Sequence, residues 1–267
     1  MKIISCKKFR PVDFHNHVWG KNGKLDRENA KSVKEAVEFI GIDRACVSCP
    51  LTSDSPAPAE FRACNDVIFE AMKFSRRFLG FCFVNPGYAR ESLAEMERCI
   101  VRGGMIGVKL YHQYFICDPA LHPVMEYAAQ LGIPVLMHAG KVTDSVSLQQ
   151  QPRLSNAGHF LKALKMFPET ILVQGHIGGG GDWEWNLRTL AALKRPAKYY
   201  LDTGGSVIDS GMIQRTVATL GEDRILFATD MAYEEGVGKI LDAGLSEQQL
   251  QKIFSGNFSR ILSERRA

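Results

Sequence analysis

Eight short apolar runs punctuate the chain, and a stretch of helical period separates each from the next. The runs are VDFHNHVW (12–19), RACVSCPL (44–51), FLGFCFVNP (78–86), IGVKLYH (106–112), IPVLMHAG (133–140), TILVQGHIGG (170–179), YYLDTGG (199–205) and RILFATDM (224–231). They are rich in Val, Ile, Leu and Phe and alternate little, as strands covered on both faces do. Between them, segments such as NAKSVKEAVEFIG, EFRACNDVIFEAMKFS and NAGHFLKALKMFP place apolar residues three and four apart, the pattern of amphipathic helices. Glycine or proline closes several of these segments: Gly41, Gly103, Gly132, Pro168, Pro196 and Gly221. Strand–helix alternation implies an α/β architecture with a parallel sheet. Eight units in 267 residues match a closed (β/α)8 TIM barrel. An open doubly wound sheet is the alternative, and no G-x-G-x-x-G follows the first run to support it. The tail LSEQQLQKIFSGNFSRIL reads as two short helices, about 246–264, with a Ser246/Gln249 capping box on the first and Asn257 capping the second. No linker or low-complexity tract divides the chain, so residues 1–267 are expected to form a single domain.

Composition narrows the class of partner. The formal charge is +4, and the Lys and Arg residues are scattered; KKFR and ERRA are the densest clusters, and neither makes a nucleic-acid stripe. No apolar run approaches the roughly 20 residues of a membrane span. The start MKIISCKKFR has too short an apolar segment for a signal peptide, so a cytoplasmic location is expected, with the seven cysteines reduced. Cys46 and Cys49 have redox or zinc spacing, but an odd spacing on a strand sends the two thiols to opposite faces. A small-molecule substrate is the expected partner, and homo-oligomer formation is compatible with the sequence.

The polar residues fall in one kind of place. His15 and His17 end the first run, Lys109 lies near the end of the fourth, His138 ends the fifth, His176 the sixth and Asp230 the eighth. In a barrel those ends converge on one mouth, where active sites sit. Side chains two apart on a strand point to the same side, about 6.5–7 Å apart along the chain, so His15 and His17 can lean onto one ion. Four imidazoles and a carboxylate at one mouth have the chemistry of a metal site. Taken singly, Asp230 also suits a helix cap, and His138 and His176 suit satisfied core histidines. Asp202 ends the seventh run and is expected behind the ligands. Trp19, Tyr111 and Tyr233 follow expected strand ends and are candidates to line a substrate pocket. The glycines after His176 in HIGGGGDW suit a loop or an anion cradle. His122 and His159 fall in helical stretches and are expected to be surface or packing residues.

His-x-His on the first strand, then His, His and Asp on the fifth, sixth and eighth, resembles the amidohydrolase superfamily. GVKLYH, GHIGG, FATDM and IFSGNFSRIL are similar to its amidohydrolase-related (amidohydrolase 2) branch of TIM-barrel metal-dependent hydrolases, which also includes decarboxylases of the aminocarboxymuconate semialdehyde type. The resemblance spans nearly the whole chain. It implies one divalent metal, zinc first and Mn, Fe or Co as alternatives, on His15, His17, His138 and Asp230, with His176 as acid/base or electrophile. Lys109 matches a lysine that in binuclear members is carboxylated and bridges two metals; in this branch one ion is usual, which leaves Lys109 to bind a substrate carboxylate. The branch often has His two residues after this lysine, where this chain has Tyr111, with His112 one place further on.

The expected function is a metal-dependent hydrolase acting on a small ester, lactone or amide, with Asp230 and His176 catalytic. The alternative is a lyase: a non-oxidative decarboxylase of a small unsaturated or aromatic carboxylate built on the same metal site. A metal-dependent nuclease of similar size lacks support, because the fourth run carries no Glu. A purely structural metal barrel is disfavoured by ligands that are His and Asp rather than Cys.

Overall fold

The computed structural model describes residues 5–21, 23–178, 181–193, 197–205, 207 and 209–266. Every apolar run contains a strand: β1 (Val12–His17), β2 (Arg44–Ser48), β3 (Phe78–Phe83), β4 (Gly107–Leu110), β5 (Pro134–His138), β6 (Ile171–Gly175), β7 (Tyr199–Asp202) and β8 (Ile225–Leu226). The eight form one parallel sheet in chain order. β8 is short, but the N–H of Phe14 donates to the Phe227 carbonyl (2.9 Å) and that of Asp230 to the His15 carbonyl (2.8 Å). These bonds draw the first strand and the last together and nearly close the barrel, as the alternation of the sequence predicts. A two-stranded hairpin (Gly20–Lys21 with Lys24–Leu25) follows β1 and was not expected.

Apolar side chains from around the barrel fill its interior, among them Phe14, Cys46, Phe81, Leu136, Val173 and Tyr200. The helices are α1 (Arg27–Ile40), α2 (Pro58–Phe74), α3 (Ala89–Met96), α4 (His122–Leu131), α5 (Ser145–Gln150), α6 (Ala157–Met166), α7 (Trp183–Leu190), α8 (Met212–Leu220), α9 (Tyr233–Leu241), α10 (Glu247–Gln251) and α11 (Asn257–Ser263). Phe258 and Ile261 of α11 join the interior cluster, so the chain's last helix plugs the end opposite the mouth. Phe14 meets Phe81 and Phe258 edge-on at 5.3 and 6.1 Å, a contact whose loss on truncation to Ala costs about 3–5 kcal/mol. Among the described residues no helix is long and apolar enough to cross a membrane.

Local chemistry sets the helix ends. Asp26 caps α1 by accepting from the N–H groups of Glu28 and Asn29, and Gly41 closes it in the left-handed region at φ 88°. Gly132 ends α4 the same way, and the Ser246/Gln249 capping box opens α10. Three expectations fail. α3 passes at Met96 into a π-turn (Glu97–Val101), and the positive φ falls on Gly104, not Gly103. Gly103 instead lies against the Phe69 ring, where a Cβ would collide. The tail is one continuous helical run, with a π-turn (Lys252–Gly256) joining α10 to α11. Asn257 therefore has helical dihedrals and caps nothing; its amide donates to the carbonyls of Glu222 (2.7 Å) and Ile225 (2.8 Å), which satisfies backbone beside β8. α7 ends at Leu190, and Pro196, expected to close it, lies outside the described residues. Cys46 faces the barrel interior and Cys49 the helix layer, on opposite faces as expected, and all seven cysteines are free thiols.

Candidate metal centre

Strand β1 must serve both the core and the mouth. Val12 and Phe14 point into the barrel, so strict alternation would turn Asn16 inward and both histidines away. Pairing with β2 slips here: Asp13 faces Ala45 and Asn16 faces Val47, three residues against two. This bulge re-aims the strand end and turns His15 and His17 to the mouth, with ring centroids 5.2 Å apart. Asp13, fully buried, fills the bulge. It accepts from the His15 N–H (3.2 Å), the Asn16 amide (2.7 Å), and the Thr229 N–H (2.9 Å) and hydroxyl (2.6 Å). Burial pushes its carboxyl up to about 7 against these donors.

The predicted residues converge. Asp230 Oδ1 lies 3.1 Å from His17 Nε2 and 3.7 Å from His15 Nε2, and its Oδ2 lies 3.7 Å from His176 Nε2. His138 Nδ1 is 3.1 Å from His176 Nε2. His15, His176 and Asp230 offer ligand atoms within 4.8 Å of one another. His17 and His138 border that trio, so the geometry brings together all four residues expected to ligate and adds His176 to them. Lys109, fully buried, sets its Nζ 2.6 Å from His15 Nε2. A positive charge thus already stands among these donors, and neutral imidazoles with a carboxylate are the donor set of a divalent first-row ion. The residues fit a metal.

Burial and charge prepare them for it. Burial, then the Lys109 charge, lowers His15 to about 4. Burial likewise lowers His17, and it lowers His138 well below the usual range with help from His176 and Lys109. These rings are neutral at pH 7, so no proton need leave before they ligate. Burial lowers Lys109 to about 8, against the pull of Asp230 and Asp202. Burial works to raise Asp230, but its interaction with His15 and the bond from His17 outweigh it, so its carboxyl titrates far below its usual range and is ionised among neutral rings.

Behind the donors stands Asp202. Its Oδ2 accepts from His15 Nδ1 (2.9 Å), and its Oδ1 accepts from the N–H groups of His176 (2.8 Å) and Gly204 (2.9 Å). Burial works to raise it, and His15 and His176 overcome that and hold it at about 2. With its Nδ1–H donated to the Asp202 carboxylate, His15 presents an unprotonated Nε2 to the centre. His176 and Asp230 both adopt left-handed backbone, φ 70° and 49°. Such strain costs roughly 1–3 kcal/mol per residue, and it is held by the Asp202 bond and by the Asp230 N–H to the His15 carbonyl. Asp230 does not cap α9, whose N-cap is Ala232. Ser48 steadies His17 through its hydroxyl (3.1 Å) and carbonyl (3.3 Å) at Nδ1.

A cavity of about 250 Å³ opens beside the centre, lined by His138, His176, Gly178, Gly204, Gly205 and Asp230 among others. Trp19 stacks on His17 at 5.3 Å and stays 40% exposed; Tyr111 stacks on His138 at 4.4 Å. Both rings flank the centre. Tyr233 turns its hydroxyl to Asn16 Oδ1 (3.2 Å), bracing β1. Of the four glycines after His176, Gly179 and Gly180 lie outside the described residues. His122 packs on Phe167 and His159 on Phe115, away from the centre, as expected. Asp13, Ser48 and Thr229 escaped sequence reading, since nothing in a lone polar residue near a strand end announces its partner; so did Gln151, after α5, whose Oε1 lies 3.0 Å from His138 Nε2.

Residues 12–262 match the amidohydrolase family. The chain belongs to it. It is an enzyme of that family, as the strand-end residues imply. Its relatives include the 2-keto-4-carboxy-3-hexenedioate hydratase of Sphingobium sp., 24% identical over 286 residues that cover 89% of this chain and 82% of the relative. Among solved structures, 2,6-dihydroxybenzoate decarboxylase from Rhizobium shares the fold at TM-score 0.74 and 17% identity, covering 95% of this chain and 98% of that one. Dihydroxybenzoic acid decarboxylase from Polaromonas sp. JS666, solved with bound manganese, shares it at TM-score 0.72 and 17% identity, covering 96% and 98%.

Proposed function

We propose that the chain is a single catalytic domain that holds one divalent ion on His15, His17, His138 and Asp230 and directs water onto a small substrate. The substrate class is an ester, lactone or amide; the hydratase among the relatives, which adds water to its own substrate, supports water chemistry. The observation that carries this reading is the placement of Asp230: one oxygen faces both His15 and His17, and the other faces His176. When bound, a divalent ion supplies Lewis-acid chemistry, polarising a substrate oxygen and acidifying water. Asp230, ionised and rigidly held, accepts the proton of the attacking water. His176 Nε2 lies on the far side of that carboxylate, where it steadies developing negative charge or protonates the departing group. Trp19 and Tyr111 offer aromatic faces to the substrate body.

A second reading, decarboxylation of an unsaturated or aromatic carboxylate, is favoured by Lys109. A fully buried ammonium beside the ligands suits a substrate carboxylate. Zinc and manganese both suit the donor set, and the manganese in the Polaromonas structure supports the latter. The free thiols support a cytoplasmic location. The test is elemental analysis of the purified protein with a screen of esters, lactones, amides and unsaturated or aromatic carboxylates, following substrate loss and carbon dioxide release together. Metal-dependent turnover without carbon dioxide, abolished by Asp230→Asn, is expected. Carbon dioxide release establishes the second reading, and turnover indifferent to chelation refutes both.

A further inference from the structure

Gln151 follows α5, a six-residue helix between β5 and α6 with no buried residue and with Val146 and Leu148 61% and 48% exposed. The backbone at Gln151 is nevertheless fixed: its N–H donates to the Ser147 carbonyl (2.9 Å), and its carbonyl accepts from the N–H of Leu154 (3.1 Å). Its side chain reaches the centre and places Oε1 3.0 Å from His138 Nε2. An amide oxygen only accepts, so His138 must carry its proton on Nε2. His138 Nδ1 is then bare. It faces His176 Nε2 at 3.1 Å, and two bare nitrogens cannot share that contact, so His176 Nε2 carries the proton of the bond. The chain of donors runs from His176 through His138 to Gln151. At its start, His176 Nδ1 is a buried atom beside Gly205 with no hydrogen-bond partner among the described residues.

We infer that Gln151 is a positioning residue that sets the tautomer of His138 and keeps Nδ1 bare: in the metal-free fold that lone pair accepts from His176 Nε2, and it would pass to the metal on binding, leaving the proton on His176 Nε2. This rests on the proposed ligand set and deepens it: it explains how two adjacent histidines take different roles, one as ligand and one as proton carrier. It also ties the exposed α5 segment to the centre through one hydrogen bond.

The experiment begins with the metal-free protein. Long-range 15N–1H correlation on 15N-histidine-labelled chain reports which nitrogen of each ring is protonated. Protonated Nε2 and bare Nδ1 are expected for His138, with protonated Nε2 for His176. Gln151→Leu removes the acceptor and loses the fixed His138 tautomer; Gln151→Glu retains an acceptor and restores it. Titration with manganese and zinc ions then reads affinity: Gln151→Leu weakens binding roughly 10–100-fold, the usual effect of losing such a partner, and Gln151→Glu recovers it. A proton on His138 Nδ1 in the unaltered protein overturns the inference. So does a folded Gln151→Leu protein with unchanged His138 tautomer and affinity. Failure of the unaltered chain to bind either ion sinks the metal reading instead, and the tautomer spectrum still decides the role of Gln151.

Discussion

Replacing Asp202 by Asn tests how the centre is held, because the change moves one proton and little else. In the structure Oδ1 serves two backbone donors, His176 and Gly204, while Oδ2 serves His15 Nδ1. The amide oxygen of Asn keeps the two backbone bonds. Its NH2 then faces His15 Nδ1, and two donors cannot meet there. The imidazole must shift its proton to Nε2, the nitrogen that faces Asp230 and Lys109. That proton occupies the lone pair a metal needs. Metal affinity is expected to fall by about 10–100-fold, equivalent to roughly 1.4–2.7 kcal/mol. The folding cost is limited to one charge-assisted bond, about 1–3 kcal/mol. Asp202→Ala is a poorer probe: it strands three buried donors at about 1–3 kcal/mol each, a large share of the roughly 5–15 kcal/mol that holds a domain folded. The assay is competition titration of metal-free Asp202→Asn protein with a chromophoric chelator, with urea unfolding alongside. Wild-type affinity in a folded Asp202→Asn protein would refute the reasoning that Asp202 sets the His15 tautomer.

Other perturbations separate the remaining roles. His138→Asn should lose metal and activity together, whereas His176→Asn should keep its metal and lose roughly 10²–10⁴ in turnover, the usual share of general acid–base catalysis; equal metal loss in both proteins would mean that His176 is itself a ligand. Lys109→Met should retain one ion per chain and raise KM for a carboxylated substrate, while loss of one ion from a pair would reveal a bridging carbamate. The metal-free protein should lose stability as pH falls from about 6.5 toward 4. His15 stays neutral in the fold down to about 4, whereas the unfolded chain takes its proton near 6.5, a difference worth about 3 kcal/mol for this ring alone; urea midpoints unchanged between pH 7 and 4.5 would count against buried neutral histidines.

The parts of the molecule with a period or a fixed place in the chain were legible in the sequence. All eight strands lie within the apolar runs, because a strand covered on both faces must be apolar throughout. The strand-end position of His15, His17, His138, His176 and Asp230 predicted their meeting, since a parallel barrel sends every carboxyl end to one mouth. What depends on tertiary partners was not legible. Asn257 carries a capping residue's chemistry but donates to carbonyls more than 30 positions away. The bulge in β1 has no local mark; it exists because Asp13 finds Thr229 across the barrel seam. Gln151 meets His138 only because the loop after β5 folds back over the mouth.

The central claim is that one divalent ion binds these strand-end residues in a barrel that does not need it to fold. Metal content per chain, measured by elemental analysis on the unaltered protein and on the double variant His15→Ala, His17→Ala, with circular dichroism on both, tests it most directly. One ion per chain in the first, nearly none in the second and superimposable spectra are expected, because a core of this size stands without an ion. Full metal retention in the double variant, or its global unfolding, would contradict the account.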